Sequence, residues 1–419
     1  MSKFTQNFTA PSHGVELRSE ALSLIDSLPV PTRRSERWKY SSVSKLANST
    51  LSTHKGGAVG LEGWPEEINP NPIPELDAYR VVFRNGVYEP TLSDLPIADG
   101  IVCMPLSSIS EDLARTIFNN EYHKTEWVGA LNAAYFQDGL YLHVSKNIKL
   151  DRSIVVHHLT DGENVANFPR HYVRIEEGGE ADVVVWSNAT EKSSGMCNSL
   201  FEASVAPNAQ LFLEKITNEA GDIYSLAHDF ITQEANSRFK AHTFTIKGSW
   251  VRNELSIVSV GKGTDSIFNG AYMPCGSEHV DNHTTMDHTF PDGTSSELYR
   301  GIMYGKSTGV FNGKVFVRPD AQRTNAFQQN TNIVADRGAS INAKPELEIY
   351  ADDVKCAHGC TVGQFDLEAL FYLQSRGLDE NAARTLLVEA FIADVLSSVP
   401  SKELSDEIKR LYSERHLWS

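Results

Sequence analysis

The sequence predicts a mainly β protein in which a long strand-rich core is flanked by helical segments. Three observations carry this. About 220 residues, from 129 to 352, read as short strands bounded by Gly, Asn, Asp or Pro, with no long helical pattern between them. From about 361 the apolar period changes from 2 to 3.6. Before 129 the texture is mixed, with one helical pattern, loops and an isolated strand. The expected divisions are therefore 1–128, 129–352 and 353–419.

In the first region Leu17, Leu22, Leu24, Ile25 and Leu28 have helical spacing, which stops at Pro29 and Pro31. A basic and aromatic stretch follows, with Arg33, Arg34, Arg37, Trp38, Lys39 and Tyr40. Its rings and guanidinium groups suit stacking on a base; the stronger expectation is an amphipathic edge packed on the body. Residues 55–76 read as loop. Arg80 to Phe83 reads as a strand entering an Asn85-Gly86 turn, and 108–119 as a helix.

Core strands are predicted at 140–144, 154–157, 181–186, 211–216, 242–247, 254–260, 297–304 and 310–317. Two turns recur in similar company, within EEGGEADVVV (176–185) and VAPNAQLFLE (205–214). No exact repeat is visible, so propeller motifs are unsupported. Pattern alone leaves a solenoid and a pair of packed sheets both open. In the last region a helix over 365–376 stops at Gly377. Asp379 caps a second, with Ala383, Leu386, Leu387, Ala390 and Phe391 as its expected buried stripe. Pro400 ends it, and Ser401 caps a third.

Composition excludes several classes. Apolar residues at 41% are too many for wholesale disorder. The 38 basic against 54 acidic residues leave a charge of −16, which argues against a general nucleic-acid binder. No apolar run approaches the ~18 residues of a membrane span, and no secretory apolar core opens the chain. A cytoplasmic protein without a membrane partner is expected. The five scattered cysteines point to free thiols or metal ligands rather than a disulfide framework.

Two clusters could carry chemistry. Cys356, His358 and Cys360 would share one face of an extended strand, and thiolates with imidazole suit zinc, iron or an iron–sulfur cluster. One strand cannot supply a complete tetrahedral set, so another residue or chain would have to finish it; buried inert thiols are the alternative. His279, Asp281, His283 and Asp287 would share another face, with His288 pointing away. That spacing suits a metal-dependent β-fold oxygenase or hydrolase; it also suits a hydrogen-bonded polar ladder. There is no GxxxxGK[ST] loop, no GxGxxG between strand and helix, and no GxSxG elbow.

The segment from about 321 to 398 resembles the C-terminal signature of the SufB/SufD family of iron–sulfur cluster assembly. The likeness rests on Pro345-Glu346-Leu347-Glu348-Ile349, on Asp353 to Gln364, and on FYLQSRGL at 371–378. PTRRSERWKY at 31–40 is similar to the element that opens these proteins. HG-x-TVGQ after a cysteine, the 419-residue length and the lack of a CxxC-type cluster motif resemble the SufD branch rather than a homodimeric SufB-like scaffold.

The resemblance implies a right-handed parallel β-helix core between helical segments. It implies a non-catalytic scaffold involved in iron acquisition and cluster assembly, in a complex with SufB and two copies of the ATPase SufC. SufC would dock on 361–419, with Phe371, Tyr372, Leu373, Arg376 and Gly377 in the contact. Cys356 and His358 would face SufB, and SufC closure would open that interface. No cofactor would be held tightly by the chain alone; iron or a cluster would visit the interface, and a homodimer could form without SufB. Cys360 stands where the family more often has a small residue and is left outside the core site. The competing expectation is a metal-dependent enzyme using His279, Asp281 and His283.

Overall fold

The computed structural model describes residues 3–11, 14–54, 56–118 and 121–415. Period-2 alternation builds the core. In Glu180–Ala189, for example, Ala181, Val183 and Val185 face inward, while Val184 and Trp186 join a different apolar cluster on the outside. Successive strands alternate between two sheets and pair in parallel with the strand two places on. Sheet A has eleven strands and ends at Ser340–Ile349; sheet B has ten and ends at Lys355–Gly363. The result is a parallel β-solenoid of about 8 turns, as the family likeness implied.

Register is kept from rung to rung. One inward column of sheet B runs Ala181, Leu211, Phe239, Ser266, Ser295, Ala326, Cys356. The recurring turns noticed in the sequence lie in a second column. Asn147, Gly178, Asn208, Asn236, Gly263, Asp292 and Arg323 all have φ between 56° and 69°. Each donates its backbone N–H to a carbonyl in the next turn of the coil, from Asn147 to Glu177 at 2.9 Å through to Arg323 to Asp353 at 2.6 Å. Left-handed backbone favours Gly, Asn and Asp, so the repeat is written in turn chemistry rather than in identical strands.

Two helical segments clamp opposite outer faces. Residues from Phe4 to Leu51 and the helix Trp127–Tyr135 pack on sheet A through Phe168, Met196, Leu200 and Leu226. The helices Leu367–Ser375, Glu380–Ser397 and Lys402–Glu414 pack on sheet B, where Ile392, Leu396, Ile408 and Tyr412 meet Trp186, Ile216 and Phe244. Caps form as expected at Asp379 and Ser401, and Gly377 takes φ 97°.

Some expectations need correction. In Glu380–Ser397 the buried stripe is Ala383, Val388, Ile392, Val395 and Leu396; Leu386 and Ala390 are exposed. Both stripes are apolar at helical spacing, and the sheet selects the second. The helix expected over 108–119 runs Glu111–Ile117, and Asn119 lies outside the described residues. The helix Trp127–Tyr135 was not anticipated, because it is apolar on every side and shows no period. The boundary expected at 352 falls between the last strands of the two sheets.

The ends of the coil differ. At the first end Ile101–Pro105 runs antiparallel to Leu140–Val144, and Val87–Tyr88 antiparallel to Ala78–Arg84 through the Asn85-Gly86 turn. At the other, Ser340–Ile349 and Lys355–Gly363 each pair on one side only. No helix among the described residues is long and apolar enough to cross a membrane.

Candidate functional site

The open last rung holds the first sequence-predicted cluster. Lys355–Gly363 pairs in parallel with Asn325–Val334, setting Cys356 on Ala326, His358 on Gln328 and Cys360 on Asn330. Alternation gives all three the inward face, as expected. Ala326, Gln328 and Asn330 are buried beneath them, whereas His358 and Cys360 are exposed because no further rung covers them. Cys356 is half-buried and packs against the end of the apolar core. Burial raises the pKa of both the Cys356 and Cys360 thiols, so each needs a nearby cation or metal to become a thiolate ligand.

A polar column supports this rung, and sequence reasoning missed it. Thr284 Oγ1 donates to Glu297 Oε1 at 2.6 Å, and Gln328 Nε2 donates to Glu297 Oε2 at 2.7 Å. Burial pushes the Glu297 carboxyl up to about 7. Gln328 Oε1 is buried without a hydrogen-bond partner among the described residues. A cavity of about 390 Å³ opens here, lined by Glu297, Gln328, His358, Gly359 and Thr361. Cys360 Sγ lies 3.8 Å from Asn330 Oδ1. The signal was present in the polar inward residues Glu297, Gln328, Asn330 and Asn332, but without the register nothing marks Glu297 and Gln328 as partners in one column with Asn330 and Asn332 beside them. The rung can offer thiol and imidazole ligands to a metal or cluster. Among the described residues no three such groups form a closed metal site.

The second cluster has a different outcome. His279, Asp281 and His283 do share the outer face of sheet A, but each is engaged by a protein partner. Arg252 Nη1 donates to Asp281 Oδ2 at 2.5 Å, and His283 Nε2 lies 3.0 Å from Asp281 Oδ1. Burial alone would raise the Asp281 pKa; the His283 and Arg252 charges outweigh it and hold the carboxyl well below its usual range. His279 shares a 2.8 Å hydrogen bond with Ser41 and stacks on Trp250. Asp287 takes two bonds from Arg318, and His288, facing inward, meets Ser295. The ladder reading describes this geometry. A divalent ion would have to displace a guanidinium that also contacts Glu254 and lies 4.1 Å over the Trp38 ring. The basic and aromatic stretch thus packs on the body, with Trp38 2% exposed.

On the C-terminal helices Phe371 and Tyr372 are 72% and 55% exposed, Leu373 is half-buried, and Arg376 and Gly377 are exposed. Arg376 lies over the Tyr372 ring at 5.1 Å. Leu367, Leu378 and Leu386 are further exposed apolar residues of these helices that sequence reasoning did not assign to the surface.

Comparison with known proteins covers nearly the whole chain. Residues 10–156 match the SufBD protein N-terminal region, and residues 158–391 match the SufBD core domain of SUF-system FeS cluster assembly. An iron–sulfur cluster assembly SufBD family protein of Synechocystis is 30% identical over 96% of this chain and 91% of its own length. The iron–sulfur cluster assembly protein SufD of Escherichia coli is 29% identical over 92% of this chain and 89% of its own. A SufBD family protein of Mycobacterium bovis is 25% identical over 92% and 89%.

Proposed function

Because the chain belongs to the SufBD family and so has a role in iron–sulfur cluster assembly, we propose that it is a non-catalytic scaffold whose open last rung pairs with SufB. The observation that carries the reading is the unpaired end of the coil bearing Cys356 and His358 on its inward face. An unpaired strand edge is a template for another strand, and a second chain would add the ligands that one strand lacks. Iron or a nascent cluster is then cargo at the junction, held in part by Cys356 Sγ and the His358 imidazole. Gln328 Oε1 offers the acceptor that a His358 ring N–H needs when the other nitrogen binds metal.

The exposed Phe371 and Tyr372, with Leu373, Arg376 and Gly377, are the docking surface for SufC. An apolar group of this kind on a chain with no P-loop suits a partner that brings nucleotide chemistry. The working compartment is the cytoplasm. Without SufB, the same open edge supports a homodimer.

Co-expression with SufB and SufC followed by native mass spectrometry tests the assembly. One copy of this chain, one SufB and two SufC are expected; a chain that never co-purifies with either overturns it. Within that complex, Cys356→Ser and His358→Ala should each lower cluster yield several-fold with the complex intact, and unchanged yield overturns the ligand roles.

A further inference from the structure

We propose that the pocket between residues 33–40 and the outer face of sheet A binds a phosphate-bearing anion. The pocket has a volume of about 430 Å³, within the range of small-molecule sites. It lies beside Asp281 and His283 but uses neither as a ligand.

Its charges can be paired off one by one. Arg37 is matched by Glu126 and Glu254. Lys344 takes Glu36 and Glu346. Asp281 is held by Arg252 and His283. Arg33, Arg34 and Lys39 remain, exposed and without a carboxylate partner among the described residues, in a chain whose net charge is −16. Three unmatched cations around one cavity suit an anion carrying more than one charge, which a single carboxylate does not. Two of the three are arginines, whose planar forks match phosphate oxygens.

The floor adds neutral donors. Asn312 and Asn342 line the pocket from successive rungs of sheet A, Asn312 opposite Lys344 and Asn342 opposite Val310. Tyr40, 40% exposed, stands at the rim with Lys39 Nζ 5.3 Å from its ring centre. Lone basic residues on a convex surface would only screen charge. Here they converge on a concave site walled by fixed backbone, where the field is focused.

The test is calorimetric titration of the purified full-length chain at constant ionic strength, once with inorganic pyrophosphate and once with a nucleoside diphosphate. Saturable one-site binding is expected. The variant Arg33→Ser/Arg34→Ser/Lys39→Ser should weaken it by about tenfold or more, since charge-assisted hydrogen bonds are lost. A charge-matched control at exposed positions outside the pocket lining, Lys192→Ser/Arg238→Ser/Lys262→Ser, should bind as the parent does. Equal affinity for the two probes assigns the site to the phosphates alone; tighter binding of the nucleoside form adds a ring contact at Tyr40. Absence of saturable binding by both probes, an unaffected pocket variant, or equal loss in the control overturns the proposal. The three side chains are exposed and make no ion pair among the described residues, so the variant keeps the parent fold.

Discussion

The two ends of the solenoid are built from the same rung and behave as opposites. At the first end the interior is mostly hydrocarbon: Val81, Phe83, Leu142, Val144, Ile154, Val156, Val173 and Val183 are all 0% exposed, the buried pair His158 and His171 at 3.0 Å is the polar exception, and the sheets end in antiparallel strands. At the last end the inward positions carry Glu297, Gln328, Asn330, Asn332, His358 and Cys360, and the edge is left open. A hydrophobic interior supplies stability where the coil starts. Polar interior groups are costly unless each finds a partner, so the last rungs forgo stabilisation that the apolar end keeps.

The sharpest way to break this contrast is a charge at the apolar end. Val183 lies between Ile154 and Leu213 in register. Val183→Asp should remove a cooperative thermal transition altogether in circular dichroism, because a buried unpaired carboxylate costs several kcal/mol against a total stability of about 5–15. A cooperative melt retained near the parent midpoint would show that the interior there is not dry.

Next in size is a pH effect at the polar end. The Glu297 pKa is raised from 4.5 to about 7 by burial, so the folded chain holds that proton more tightly than the unfolded one. The stabilising effect of this protonation is fully present below about pH 4.5 and is lost as pH rises through about 7. Glu297→Gln removes the dependence. Relative to the parent, the variant should gain about 3 kcal/mol between pH 4.5 and pH 8, read from urea midpoints at each pH. A pH-independent difference would mean that Glu297 is ionised throughout.

At the open edge Val362 sits above Asn332 and is 52% exposed. Val362→Asp should change stability by no more than about 0.5 kcal/mol, and a large drop in melting temperature would show that the rung is covered. Phe371→Ser with Tyr372→Ser should alter the melt least of all and, if the docking surface is assigned correctly, abolish co-purification of SufC.

Much of this was legible before the structure. Leu211 to Ile216 and Leu140 to Val144 announce strands by alternation, and Asp379, Pro400, Ser401 and Gly377 mark the helix ends. Cys356, His358 and Cys360 share a face by period alone. What alternation cannot give is register, and so which inward residues stack: the Thr284–Glu297–Gln328 chain spans three strands and exists only once the rungs are aligned. Nor can spacing show that Arg252, on the neighbouring strand, takes the carboxylate of Asp281. Only two turns of the repeat, within 176–185 and 205–214, stand out in the letters, for a related reason. Its invariant is a left-handed backbone angle, which Asn, Gly and Asp satisfy with different letters and which Arg323 satisfies with an unusual one.

That column of turns has a further consequence. Each turn amide binds a carbonyl one coil ahead, so the solenoid is a one-dimensional lattice with nearest-neighbour bonding, and Lys355–Gly363 is its growth face. At the opposite face both sheets end in antiparallel strands, so the parallel repeat stops there. A strand arriving at the open face meets free backbone groups on one side and Cys356 and His358 at once. Under the proposed function, recognition of a partner and completion of the ligand set would then be a single ordering event.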